Sequence, residues 1–332
     1  MDKENRGHTT AALQALLVTF LWSSSWVLIK IGLVDIPALP FAGLRYSLAF
    51  FCLLPFAVRS GQLKALRHLP GAAWARLVLL GLLFYAVTQG AQFVSLAYLP
   101  ALTTSLILSF TTILVALLGM VLLGERPGAL QWGGLVLYLV GVAVYFAPTL
   151  LPGGATPGPM AQGEAASRGQ IIGLAVAIGG MVANAFSSIL GRHVNRDGGL
   201  SPLAVTVVTM GIGAGVLLVG GVAAQGLPRL SIVHWAIVAW LAVVNTAFAF
   251  TLWNRTLRTL PAMESSILNN TMLFQIALLA WLFLGEDLGW YQVGGMVLAA
   301  AGTLVVQVRR RGGEAAATAP LRTAAQRDEG ER

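Results

Sequence analysis

Between residues 85 and 92 of this chain a tyrosine and two glutamines, Tyr85, Gln89 and Gln92, recur at i, i+4 and i+7. On a helix that spacing gathers one ring and two amides onto a single stripe. Comparable sets occur elsewhere: Trp22 and Trp26 one turn apart beside Ser23, Asn184 with Ser188, Asn245 with Phe248 and Trp253, and Ser266 with Asn269 and Asn270. Amides and hydroxyls donate to a carboxylate and accept from an ammonium without the desolvation cost of a fixed charge, while indole, phenol and phenyl rings stack on a flat or apolar side chain. Together these groups suit modest-affinity binding of an amino-acid-like zwitterion. The competing reading is that they only hydrogen-bond neighbouring helices.

Chemistry of other kinds is poorly served. The four histidines, His8, His68, His193 and His234, fall in tails or loops, and no two share a helix face, so an intramembrane hydrolase or transferase lacks its Ser/His or clustered-His machinery. Cys52 is the single cysteine, which excludes an internal disulfide and a thiolate metal cage. No catalytic residue, metal or cofactor is expected. A net charge of +8 raises nucleic acid as a partner, but the basic residues are scattered through short loops and gathered in the tail, a pattern that fits membrane orientation instead.

The stripes need helices to carry them, and composition says where those lie. Hydrophobic residues make up 57% of the chain and charged ones 10%, against about 25% charged in a soluble domain. The intervals 77 to 124, 127 to 163, 198 to 228 and 265 to 285 contain no Asp, Glu, Lys, Arg or His. Because a spanning helix needs about 20 apolar residues, the chain divides into ten spans: 11–31, 38–58, 77–97, 101–123, 129–147, 169–191, 202–222, 233–254, 263–284 and 288–308. Continuous apolarity implies helices, since barrel strands would alternate. The first span carries two tryptophans and runs into Lys30 without a small-residue cleavage site, so it reads as a span and not a signal peptide.

Residues 95–145 and 256–306 align without a gap at a constant offset of 161. Leu99-Pro100-Ala101 matches Leu260-Pro261-Ala262, Leu123-Gly124-Glu125 matches Leu284-Gly285-Glu286, and Gln131, Gly133-Gly134 and Gly141 match Gln292, Gly294-Gly295 and Gly302. Such a repeat in membrane-length sequence points to two related halves with a site between them. With the N-terminus inside, one side collects Lys3, Arg6, Arg59, Lys64, Arg67, Arg76, Arg126, Arg192, Arg196, Arg255, Arg258 and the tail from Arg309, and the other keeps only Lys30, Arg168 and Arg229. Five spans per half is odd, so the halves are inverted. The expectation is an all-α polytopic membrane protein: a cytoplasmic N-terminus (1–10), a first five-helix repeat (11–147), an external linker (148–168), a second five-helix repeat (169–308) and a disordered basic cytoplasmic tail (309–332).

Several charges lie at or inside spans. Lys30 is expected to snorkel to the outer interface, Arg45 sits a third of the way into the second span as a functional or structural charge, Glu264 to cap the ninth span, and Glu125 and Glu286 to organise turns at opposite faces. Trp74, Trp235 and Trp290 lie at span ends as interfacial anchors.

The tract Leu21-Trp22-Ser23-Ser24-Ser25-Trp26 ending at Lys30, Leu44-Arg45-Tyr46, the twin Gly124-Glu125 and Gly285-Glu286, and Gln131-Trp132-Gly133 with Gln292-Val293-Gly294 resemble the drug/metabolite transporter superfamily in its ten-helix EamA-type branch. The resemblance runs from about residue 11 to 308. It implies a multi-pass transporter in a bacterial-type cytoplasmic (inner) membrane, moving a small-molecule substrate by alternating access; two fused halves remove the obvious need for dimerisation, so a functional monomer is expected. The tract from Tyr85 to Phe93 is similar to the branch that exports amino acids, aromatic ones in particular. Drugs, nucleosides and other metabolites are the alternative substrates, and a channel is a further alternative class. Family members often carry proline midway along the fourth and ninth spans, whereas Thr111-Thr112-Ile113 and Met272-Leu273-Phe274 stand here, so bending there is expected to be smaller or to arise otherwise. Smaller relatives exchange substrate for protons through a carboxylate in the first span; none is present here, which favours a facilitator or a differently coupled exporter.

Overall fold

A chain this apolar must bond its backbone internally, and the computed structural model is helical throughout, with no strand among the described residues, which are 3–123, 128–150, 164–196, 200–256, 259–260 and 262–317. In order these form α1 (Lys3–Gly32), α2 (Ala38–Arg59), a 3₁₀ turn (Gln62–His68), α3 (Gly71–Gly81), a π-helical segment (Leu82–Gln89), α4 (Gly90–Tyr98), α5 (Ala101–Ser109), α6 (Thr111–Leu123), α7 (Ala129–Leu150) and α8 (Glu164–Arg196). The second half continues with α9 (Pro202–Gln225), α10 (Ile232–Ala242), a second π-helical segment (Val243–Phe248), α11 (Ala249–Thr256), α12 (Ala262–Leu284) and α13 (Trp290–Ala317). Seven described helical runs are long and apolar enough to cross a bilayer, and three shorter apolar helices, Ala101–Val115, Leu268–Leu284 and Trp290–Val306, stand at the remaining expected positions. The chain is a polytopic membrane protein.

Equivalent helices of the two halves pack against each other and run in opposite directions. A β-carbon on Gly134 would stand 2.8 Å from Gly302 O, and one on Gly141 would stand 2.5 Å from Ala299 N and 2.7 Å from Gly295 O, so α7 and α13 are antiparallel at backbone contact. Likewise Gly43 abuts the Leu218 backbone and Gly221 the Pro40 nitrogen, each within 2.7 Å of an added β-carbon, which sets α2 antiparallel to α9. Small residues are the general means by which membrane helices approach this closely. Other contacts also cross between the halves: α1 packs on α12 and α11, and α8 packs on α6 and α4. Opposed equivalent helices with exchanged partners are what an inverted repeat produces.

Several expectations meet the structure directly. Glu286 does organise a turn: its carboxylate accepts from Ala101 N at 2.6 Å and Leu102 N at 3.0 Å, capping α5 of the opposite half. Burial pushes this carboxyl up from the usual carboxylate range, and the two backbone donors and Lys30 pull it back down. Lys30 does not snorkel. Its ammonium donates to Leu96 O at 2.6 Å and Leu99 O at 2.7 Å, closing the C-terminal end of α4, because orphan carbonyls nearby satisfy a cation better than the interface does.

The fourth span bends without proline. It breaks at Phe110, where Ser109 Oγ donates to Leu106 O at 2.7 Å and Tyr138 OH donates to the same oxygen at 2.7 Å, replacing the bond a continuous helix would make. The tail differs at its start, since α13 continues through Arg309 to Ala317. Residues 151–163 of the expected linker, Glu125, and the tail from 318 lie outside the described residues, as do the side chains of Glu264 and Ser266.

Candidate functional site

The π-helical segments are the local feature that builds the site. They occupy matched places in the third and eighth spans, Leu82 and Val243 being related by the same offset of 161 as the rest of the repeat. In each, a threonine hydroxyl reaches five residues back: Thr88 Oγ1 to Leu83 O at 2.8 Å, and Thr246 Oγ1 to Leu241 O at 2.8 Å. A π turn widens the helix and frees carbonyls, and these hydroxyls take them up. Gly213 in α9 seats the first segment; a β-carbon there would stand 2.4 Å from Gly81 O and from Tyr85 Cβ.

On the first segment, Tyr85 is buried, edge-on to the ring of Tyr46 at 5.5 Å, and Tyr46 OH donates to Gln89 Oε1 at 2.6 Å. Arg45, beside Tyr46 on α2, is 5% exposed; its guanidinium lies 5.1 Å from the Tyr46 ring and 6.0 Å from that of Phe93, and its Nε donates to Thr246 Oγ1 at 3.3 Å. This bond ties α2 to the second segment. There Asn245, 0% exposed, donates from Nδ2 to Leu21 O and, at 3.3 Å, to Ser24 Oγ on α1. Next to Leu21 on α1, Trp22 is flanked by Phe250 and Trp253, both at 5.3 Å between ring centroids.

Two buried polar atoms in this region have no hydrogen-bond partner: Trp22 Nε1, a donor, and Asn245 Oδ1, an acceptor. Each carries a cost of about 1–3 kcal/mol when unmet. Contacts and sequence neighbours thus link Tyr85, Gln89 and Tyr46 through Arg45, Thr246 and Asn245 to Trp22 and its rings, drawing on α1, α2, α11 and both π segments.

Of the residues singled out by spacing, the structure brings together Trp22, Tyr85, Gln89, Asn245 and Trp253. Trp26 is buried in the main core, and Ser23 bonds Thr19 O at 2.8 Å and Gln275 Oε1 at 3.0 Å. Gln92 is half-buried, apart from the Tyr46–Gln89 bond, and Asn269 is exposed while Asn270 is half-buried and partnered. Asn184 Nδ2 reaches Thr111 Oγ1 at 3.4 Å and so joins α8 to α6, whereas Ser188 donates back to Asn184 O at 2.8 Å within α8.

Phe248, expected to share a face with Asn245 and Trp253, is 49% exposed, and it is Phe250 that joins Trp253 against Trp22. The cause is the π segment: the i, i+3 step from Asn245 assumes 3.6 residues per turn, whereas a wider turn brings i+5 onto the same face. Two further residues escaped spacing arguments. Gln275 knots α12 to α1 by donating to Thr19 Oγ1 at 3.2 Å and Thr271 Oγ1 at 3.0 Å while accepting from Ser23. Tyr46 showed only as part of Leu44-Arg45-Tyr46, and its role depends on which helix faces it. No group of three or more His, Cys, Asp or Glu side chains gathers among the described residues.

Two inverted helical halves meeting at a polar, ring-lined centre define a membrane transporter of the repeat-built class. The chain belongs to the EamA-like transporter family, whose pattern matches it twice, over residues 9–147 and 171–308. It is 26% identical over 287 residues to a Bacillus subtilis (strain 168) protein called uncharacterized transporter YoaV, covering 85% of this chain and 88% of that one. It is also 26% identical over 297 residues to a Salmonella typhimurium protein called a probable amino-acid metabolite efflux pump, covering 88% and 92%. An uncharacterized inner membrane transporter YedA of Escherichia coli K12 is 27% identical over 261 residues, covering 77% and 76%. A solved crystal structure with 17% identity superposes with a TM-score of 0.62, covering 91% of this chain and 99% of that one, which establishes likeness of fold.

Proposed function

We propose that this transporter moves amino acids or similar small metabolites across a bacterial-type inner membrane, favouring aromatic or apolar side chains, by alternating access at the centre between the two repeats. The observation that carries this is an unmet donor, Trp22 Nε1, on a ring held against Phe250 and Trp253, together with an unmet acceptor, Asn245 Oδ1, on the side chain that bonds the neighbouring Leu21 carbonyl. A zwitterion offers an acceptor and a donor, and an aromatic side chain offers a face to the rings. The relative named as an amino-acid metabolite efflux pump supports the same solute class. A relative named as an inner membrane transporter supports the location.

The test is competition against labelled phenylalanine uptake in liposomes. Phe, Trp and Met are expected to inhibit more strongly than Gly or Asp, by roughly two- to tenfold, since a productive ring contact contributes about 0.5–1.5 kcal/mol. Trp253→Ala flattens the difference. Equal inhibition by all amino acids removes the ring argument, and competition only by nucleosides or cationic drugs moves the chain to another solute class.

The Lys and Arg distribution supports a reading with both termini in the cytoplasm. With Cys52 replaced, Ala155→Cys is expected to react with an impermeant thiol reagent on intact cells and Ala319→Cys is not. Labelling at residue 319 reverses the orientation.

A further inference from the structure

Arg45 is a buried cation with most of its donors unused. Its single hydrogen bond is Nε to Thr246 Oγ1, the rings of Tyr46 and Phe93 lie near its guanidinium, and its four Nη N–H groups donate to no protein acceptor among the described residues. A guanidinium stays charged at any physiological pH and presents a planar fork that matches a carboxylate at two points. Held inside a membrane without a counter-ion, it is among the most costly arrangements a chain can keep.

The protein itself supplies no such counter-ion. There is no Asp or Glu between Asp35 and Glu125, or between Asp197 and Glu264. Those two acid-free intervals contain α2, the whole third span, α9 and the whole eighth span, the elements packed around Arg45. Cation–ring contacts stabilise the charge only in part. What completes the fork must come from outside the chain, and an anion is the partner that meets both its donors and its charge.

We propose that Arg45 is the carboxylate anchor of the substrate site, holding the solute's carboxylate on its Nη groups while Thr246 fixes the guanidinium by its Nε. This rests on the amino-acid reading of the same centre and sharpens it: neutral amides and hydroxyls alone do not bind the solute, because one fixed positive charge sits among them. Asn245, next in the chain to Thr246, leaves its Oδ1 for the solute's ammonium, and Trp22, Phe250 and Trp253 beyond it take the side chain. Guanidinium, amide oxygen and rings are the three kinds of group that the carboxylate, ammonium and side chain of an aromatic amino acid require. Neutral or cationic solutes gain nothing from Arg45.

The experiment compares phenylalanine with phenylalaninol, in which the carboxylate is replaced by an alcohol, as competitors of labelled phenylalanine in liposomes holding the full chain. The wild type is expected to prefer phenylalanine by at least about tenfold, the ratio that one charged hydrogen bond supplies. Arg45→Gln brings phenylalanine down to the level of phenylalaninol, and Arg45→Lys, a point charge without the fork, retains part of the preference. Thr246→Val, which releases Nε without removing the charge, narrows the preference and serves if the Arg45 variants do not fold. A wild type that takes phenylalaninol as well as phenylalanine overturns the anchor, as does a folded Arg45→Gln that keeps the full preference; in both cases the amino-acid reading stands. A wild type that takes up neither compound overturns that reading, and the anchor with it.

Discussion

Leucine in place of Gly141 is expected to remove most of the folded protein, and Gly302→Leu to do the same. A β-carbon at Gly141 would lie 2.5 Å from Ala299 N, and one at Gly302 would lie 2.5 Å from Tyr138 N and 2.6 Å from Gly134 O. Backbone cannot swing aside as a flexible side chain can, so α7 and α13 must separate along their shared face. Overpacking costs about 1–3 kcal/mol where neighbours yield, and here they do not, so about 3 kcal/mol per site is the lower expectation. Gly133 and Gly294 supply the control, being neighbours of packed glycines in the sequence yet standing in open space or at 4.0 Å from the nearest atom. Gly133→Ala should leave the melting temperature unchanged or raise it slightly, through better helix propensity. A folded Gly141→Leu with a wild-type melting temperature would mean that α7 and α13 do not touch by their backbones.

Removing the Glu286 carboxylate is the second change with a large expected effect. It strips both caps from α5, at Ala101 N and Leu102 N, in a place too buried for water to replace them. Hydrogen bonds to a charged group contribute about 1.5–3 kcal/mol each, which puts Glu286→Ala at about 3 kcal/mol or more. Glu286→Gln keeps one acceptor and should fall between. Lys30 holds the carbonyls of Leu96 and Leu99 on the other side of the same turn, and its charge is felt at Glu286. Lys30→Met with Glu286→Gln is therefore expected to lose less than the two single losses added, because each single change leaves the other charge uncompensated. Thermal melting of the four proteins measures this. Additive losses would show the two groups to be independent caps.

The two π segments explain why helical periodicity was a good guide in some spans and a poor one in others. Tyr85 and Gln89 meet the same partner, Tyr46, as a stripe would have them do. Phe248 does not follow Asn245, because the turn between them is wider than an α turn, and nothing in the tract Val243 to Phe248 marks that except a threonine able to bond five residues back. The same limit applies to Ser188 and Asn184. Their amphipathic spacing was visible, but whether such a face meets a solute or another helix depends on which helix lies opposite.

By itself the sequence determined the helical membrane class, the division into apolar segments, and the pairing of two halves, because water-to-lipid transfer acts on composition over about 20 residues and a repeat survives as identities in register. The glycines that match across the repeat were legible as matches but not as contacts. Only the tertiary structure decided that Gly134, Gly141 and Gly302 carry backbone against backbone, that Lys30 closes a helix end, that Phe250 and not Phe248 flanks Trp22, and that Gln275 ties α12 to α1. The isolation of Arg45 is the clearest case. Its charge and depth follow from its place in the second span, but its unused donors exist because three acid-free spans fold around it, and that is a property of packing between segments more than 200 residues apart.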